Sequence, residues 1–170
     1  MIGRLRGRKQ SRGQGLVEFA LVAPILFLMF FGILEFGRFV LYYHTLNNAV
    51  REGARYAIVH GFQAIDGCPS GPMPGGAANP CDPSGSNVRQ AVADAAVGLL
   101  SVSDLSFPAV TQPDGTVCSS PANPCYYGPN GNSNARGSNV TLEVDYTYSA
   151  MLPLLPNIGI HAETTLVVNN

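Results

Sequence analysis

Residues 16–34 read LVEFALVAPILFLMFFGIL, and Glu18 is the one charged side chain among them. A helix rises about 1.5 Å per residue and a bilayer core is about 30 Å thick, so about 20 apolar residues suffice to cross it. The segment 16–37 has that length, and in lipid its backbone can satisfy itself only as a helix. A cleaved secretory signal is the rival reading. It would have a shorter apolar core and a small-x-small site just after it. Here the run continues into Glu35, Phe36, Gly37, Arg38 and Phe39 with no Ala-x-Ala. A retained membrane span is therefore expected.

The chain before the span is basic. Of the 10 Lys and Arg residues, Arg4, Arg6, Arg8, Lys9 and Arg12 precede Gly13, and no acidic residue precedes Glu18. The remaining five basic residues face all 11 acidic ones, so the net charge of −1 hides a basic leader and an acidic body. An acidic body argues against nucleic acid as a partner, because such binding depends on neutralising phosphates with Lys and Arg. The basic cluster reads as a topology signal, with the N-terminus cytoplasmic and the C-terminal bulk outside the cytoplasmic membrane. A disordered basic tail on a soluble protein is the alternative.

Beyond the span, residues 39–60 contain no proline and continue the helical pattern. Glu35 and Arg38, three apart, can pair at the outer membrane surface, where Tyr42 and Tyr43 are plausible interfacial residues. Ala49, Gly53 and Ala57 recur every four residues and leave one helix face smooth. Either another helix backbone approaches that strip, or it packs against the protein's own sheet. Gly61 is the expected stop.

Residues 61–137 are rich in Gly and Pro and read as loops around short elements. A second helix is predicted over 87–100, capped by Ser86 or Asn87, with Val88, Ala91, Val92, Ala95, Ala96 and Leu99 on its apolar face. Leu105, Phe107 and Ala109 alternate as a short strand. Val140, Leu142, Val144, Tyr146 and Tyr148 alternate strictly, as do Ile160, Ala162, Thr164, Leu166 and Val168. These two strands should pair antiparallel. The predicted fold class is α+β: a long N-terminal transmembrane helix plus a second helix packed on a small antiparallel sheet.

The four cysteines all follow the span, which suits disulfides in an exported domain. They lie in two similar loops, CPSGPMPGGAANPC over 68–81 and CSSPANPC over 118–125, which share the ending Ala-Asn-Pro-Cys. The parallel endings favour the local pairs Cys68–Cys81 and Cys118–Cys125; crossed pairing between the loops stays open. The loops either present a recognition surface or stabilise a domain too small to hold them by its core. No C-x-x-C occurs and no histidine lies near them, so no metal site is expected. His44, His60 and His161 accompany no nucleophile pattern or phosphate loop, so neither an enzyme nor a cofactor is expected. The stretch NGNSN at 130–134 lacks carboxylates and reads as a flexible turn.

Gly13-Gln14-Gly15-Leu16-Val17-Glu18-Phe19 and the following Ala20-Leu21-Val22-Ala23-Pro24 place a glycine, four residues, then Glu and an aromatic at the start of an apolar helix. With Gly32-Ile33-Leu34-Glu35-Phe36-Gly37-Arg38 and Arg51-Glu52-Gly53-Ala54-Arg55-Tyr56-Ala57, residues 13–60 resemble the TadE-like family of the tight-adherence, Flp-type pilus system. The resemblance implies a pilin-like fold divided into a leader (1–13), a transmembrane and assembly helix (14–60) and an extracytoplasmic domain (61–170). It implies cleavage between Gly13 and Gln14 by a prepilin peptidase, with Glu18 and Phe19 as recognition and assembly residues. A cut after Gly15 would put Glu18 out of register. Phe19 stands where the major pilins have tyrosine. The implied function is that of a minor pilin or pseudopilin, single-pass in the cytoplasmic membrane and possessing as partners other pilins and the tight-adherence secretion machinery. The alternative is an unprocessed anchor displaying a binding or adhesin domain. Residues 61–170 carry no family signature.

Overall fold

The computed structural model describes residues 12–64, 67–96, 98–118, 122–128, 131–151 and 155–169. The leader's Arg4, Arg6, Arg8 and Lys9 lie outside the described residues. Helix α1 runs from Arg12 to Val59, 48 residues, and continues through Pro24. The chain divides into two compact units, Met1–Arg38 and Phe39–Asn170, so the boundary falls inside this helix.

In the first unit the helix is apolar around its circumference. Its most apolar 18-residue window has a mean hydropathy of 2.4 and none of it is buried within the protein. It is long and apolar enough to cross a membrane.

In the second unit the same helix becomes amphipathic. Leu46, Ala49, Val50, Gly53, Ala54 and Ala57 are buried, while Arg51, Glu52 and Arg55 face solvent. The buried set follows the three-and-four spacing of a helix face and packs into one core with Val88 and Val92 of the second helix and Val140, Leu142 and Val144 of the sheet. The helix ends at Val59, with a turn at His60. The chain bends at Gly61, at the expected stop.

Helix α2 spans Ser86–Ala95 and is shorter than expected. Gly98 adopts φ +70°, a left-handed conformation that turns the chain out of the helix. Leu99 therefore points outward and Leu100 is buried instead. The N-terminus of α2 is held from outside the helix. The Asp82 carboxylate accepts the backbone N–H groups of Ser86 and Asn87 at 2.7 and 3.0 Å and the hydroxyls of Ser86 and Ser70 at 2.8 and 2.9 Å.

The four-stranded antiparallel sheet is built around β3 (Asn139–Tyr148), which pairs over its whole length with β4 (Ile158–Val167), from Asn139 opposite Val167 to Tyr148 opposite Ile158. On its other edge β3 meets two short strands: β1 (Leu105–Ser106) opposite Tyr146 and Asp145, and β2 (Cys125–Tyr127) opposite Thr141, Val140 and Asn139. The alternation in β3 and β4 sets which face meets the helices. The β1 strand stops after Ser106, and Ala109 is exposed, so the alternation read over 105–109 extends beyond the strand.

Both disulfides are local, Cys68–Cys81 and Cys118–Cys125, with Cα atoms 5.4 and 5.8 Å apart. The stretch around residue 134 is not the flexible turn expected. Asn134 is fully buried; its N–H donates to Pro72 O, its Nδ2 to Ser70 O, and its own carbonyl accepts from Phe62 N.

Candidate processing and assembly segment

The sequence-marked residues Gly13, Gln14, Glu18 and Phe19 all lie in the first turns of α1, and all are exposed. The Gly13–Gln14 peptide bond is therefore helical and open to approach. A Cβ added at Gly13 or Gly15 would meet nothing within 4 Å, so glycine is not required there by packing inside the protein. Glu18 lies four positions after Gln14, which puts both on one helix face.

Phe19 is 65% exposed, and the apolar residues after it are comparably bare through Leu34. The segment thus presents one carboxylate near the start of a long apolar rod. At the other end of the first unit, Arg38 Nη1 lies 3.3 Å from Glu35 Oε2, so the acid and base that bound the rod form a pair.

The small-residue strip behaves differently. Ala49, Gly53 and Ala57 are buried within the second unit. A Cβ at Gly53 would strike the Val92 side chain and come within 3.0 Å of Leu142 Cδ2 and 3.3 Å of Val88 O. Of the two readings open from the sequence, α2 and β3 of the same chain occupy this strip. The exposed charges flanking it form an Arg55–Glu52 pair at 3.2 Å.

The histidines have individual neighbours. His60 stacks on Tyr56 with centroids 3.8 Å apart, and His44 meets Tyr43 edge-on. His161 Nδ1 contacts Asp145 Oδ1 at 2.7 Å across the β3–β4 pair. That hydrogen bond holds His161 above its ordinary value, against partial burial. Beside it, Glu143 faces Glu163 in register; burial first, then the Glu163 charge, raises the Glu143 carboxyl. Among the described residues no group of three or more His, Cys, Asp or Glu side chains is placed to hold a metal ion.

Residues 13–55 match the sequence model of the family described as TadE-like protein. This segment is TadE-like. The match begins at Gly13 and ends at Arg55, so it takes in the rod and most of the buried strip and stops short of α2 and the sheet. No curated protein and no solved structure gives a significant match to the chain. The TadE-like segment thus crosses the boundary between the two units. The most apolar window of its N-terminal part is unburied among the described residues, and its C-terminal part supplies one wall of the domain core.

Proposed function

We propose that this protein is a minor pilin or pseudopilin that takes part in assembling a tight-adherence, Flp-type pilus after trimming by a prepilin peptidase. The observation that carries this reading is the TadE-like match over residues 13–55. Its first residues combine Gly13, Glu18 and Phe19 at the head of an apolar helix whose most apolar window is unburied among the described residues.

The chemistry follows from the isolated acid. A charged group at the centre of a membrane helix costs about 2.5–3.5 kcal/mol on insertion scales, and less near an end. Glu18 sits near the helix N-terminus, which favours negative charge. Cleavage after Gly13 frees an amine on Gln14, one turn from Glu18. In an assembly, the Glu18 carboxylate pairs with the Gln14 amine of a neighbouring subunit. Burial of the rods among themselves then makes an unpaired carboxylate expensive and fixes the axial register. The peptidase, other pilins and the secretion machinery are the partners in this reading, the membrane is its site, and the chain itself performs no catalysis.

N-terminal sequencing of the protein purified from membranes tests processing. A mature chain beginning at Gln14 supports the reading; one beginning at Met1 or Ile2 favours an unprocessed anchor that displays its domain. Glu18→Ala tests assembly: insertion should persist while incorporation into pili is lost. Normal incorporation of that variant would remove the proposed role of the carboxylate.

A further inference from the structure

The second unit carries exposed apolar side chains at one end of its β3–β4 hairpin. Met151 is 75% exposed, Leu155 44% and Ile158 40%. No charged side chain lies between Asp145 and His161. Water is a poor solvent for such a stretch, which is also rimmed by tyrosine.

The contacts within the second unit fix which end this is. Tyr148 closes β3 and packs edge-on against Phe39, with centroids 5.6 Å apart, and against Tyr42 at 5.4 Å. Tyr146 stacks on Tyr42 at 5.6 Å. Farther along α1, Gly53 abuts Leu142, and past its end Phe62 N donates to Asn134 O. Helix α1 therefore runs antiparallel to β3, and the hairpin end at Tyr148 and Ile158 lies level with Phe39. Phe39 is the first residue of this unit, where the chain leaves the apolar rod. Met151 is three residues past Tyr148 and can stand no more than about 11 Å from it. Leu41 and Tyr43, on the first turns of α1 in this unit, are exposed at the same end.

From this placement we propose that the β3–β4 hairpin end is a second membrane contact. Met151, Leu155 and Ile158 rest in the outer interface of the bilayer that the rod crosses, with Tyr42, Tyr43 and Tyr146 at headgroup level. The proposal rests on the reading of 16–37 as a membrane span. Its occupant is a lipid surface because the patch is continuous with the point where the span ends. Apolar side chains of interfacial elements sink about 5–10 Å into the headgroup boundary, and tyrosines settle at its polar edge.

The test uses the full chain in phosphatidylcholine–phosphatidylglycerol nanodiscs, which leave both faces open to solutes. Both cysteine pairs are disulfide-bonded, so a single introduced thiol can be labelled selectively with an environment-sensitive fluorophore. Three variants are compared: Met151→Cys, Val167→Cys and Phe27→Cys. Val167 is also apolar and 46% exposed but sits at the opposite end of the hairpin, roughly 30 Å away at about 3.3 Å per strand residue. The Met151 label should be blue-shifted and quenched by lipids carrying a nitroxide high on the acyl chain. Iodide should quench it about threefold less than the Val167 label if it lies at interfacial depth. Equal iodide quenching at Met151 and Val167, with Phe27 shielded, would overturn the contact while leaving the span intact. Iodide quenching at Phe27 would overturn the span and the contact with it.

Discussion

The Asp82 carboxylate accepts the Ser86 backbone N–H at 2.7 Å and so caps α2 from four residues upstream, outside the helix it stabilises. Asp82 is 1% exposed, and its second oxygen receives the Ser70 hydroxyl from inside the first cysteine loop and the Asn87 N–H. One side chain thus ties a disulfide loop to a helix start. A helix N-terminus leaves backbone donors without partners, and a buried carboxylate needs several donors, so each meets the other's requirement.

Asp82→Ala removes all four acceptor contacts and strands the buried Ser70 hydroxyl. The expected loss is about 2–4 kcal/mol, the sum of a lost cap and newly unsatisfied buried groups. Asp82→Asn keeps the shape but turns an amide donor toward one pair of donors, and should recover only part of the loss. Denaturant unfolding of the full chain in detergent measures both. Wild-type midpoints in both variants would mean that α2 does not depend on this cap.

At Gly53, α1 lies close enough to α2 that an added Cβ would meet the Val92 side chain. Alanine has the better helix propensity by about 1 kcal/mol, and in an exposed helix that difference would stabilise. Here the added methyl meets Val92 and approaches Leu142 Cδ2 to 3.0 Å. Overpacking of this kind costs about 1–3 kcal/mol, enough to outweigh propensity. Gly53→Ala should therefore lower the unfolding midpoint. Gly37→Ala, whose Cβ meets nothing within 4 Å, should not. Equal behaviour of the two variants would place the helices farther apart than described.

The rod and the long hairpin were legible because each is governed by one periodicity that spans many residues. Leu16 to Leu34 form a run long and apolar enough to cross a membrane, and Val140 and Leu142 alternate where β3 meets the core. Short elements were legible only in part: the strand read over 105–109 is confined to Leu105–Ser106, and β2 was not read at all. Nothing in Cys125-Tyr126-Tyr127 marks a strand, since its pairing with Thr141 and Asn139 is decided by the disulfide and by β3. The repeated ending Ala-Asn-Pro-Cys was visible as a repeat, but its role was not. In both loops the asparagine side chain binds backbone: Asn79 Nδ2 donates to Pro69 O and Gly71 O at 2.8 Å, and Asn123 Nδ2 donates to Pro108 O at 2.9 Å and also to Glu143 O. Asp82 lies just past one such ending, and four-residue spacing to a helix start is not a capping pattern that a sequence advertises. The TadE-like residues were legible as a pattern, but the sequence did not decide whether Gly53 meets a neighbour or its own α2.

The outer face of the sheet predicts how stability varies with pH. The Asp145 hydrogen bond raises His161 above its ordinary 6.5, so its contribution is fully present below 6.5 and is lost as pH rises through the folded value. Burial, then Glu163, raises Glu143 above its ordinary 4.5, and that contribution likewise fades as pH rises. Asp104 and Asp114 act oppositely: hydrogen bonds from Ser101 and Thr116 lower them, so their contributions are present above 3.8 and lost as pH falls through their folded values. Stability should thus peak in mild acid and decline as pH rises, first through the raised Glu143 and then through the raised His161. His161→Asn should flatten the upper part of that decline, and Glu163→Gln the lower part. Melting curves across this range that rise toward alkaline pH would contradict the assignment.

The two disulfides should differ in opposite senses from those their loop lengths suggest. Constraint of the unfolded chain gives about 3 kcal/mol for the Cys68–Cys81 loop and about 2.5 kcal/mol for the shorter Cys118–Cys125 loop. Burial reverses that order. Cys125 is fully buried and Cys118 is 5% exposed, packed with Val110. Replacing them by serine places two hydroxyls in an apolar setting, each costing about 1–3 kcal/mol if unpaired. Cys81 is exposed, and its loop stays bracketed by Asn79 and Asp82 without the bond. The Cys118→Ser/Cys125→Ser variant should therefore unfold at lower denaturant than Cys68→Ser/Cys81→Ser. Access follows the same asymmetry, because a thiolate must reach sulfur to exchange. Brief treatment of the native protein with a mild thiol reductant, followed by alkylation and peptide mass analysis, should label Cys68 and Cys81 before Cys118 and Cys125. Labelling of all four at one rate would mean that reduction proceeds through global opening, and that the second loop is no better shielded than the first.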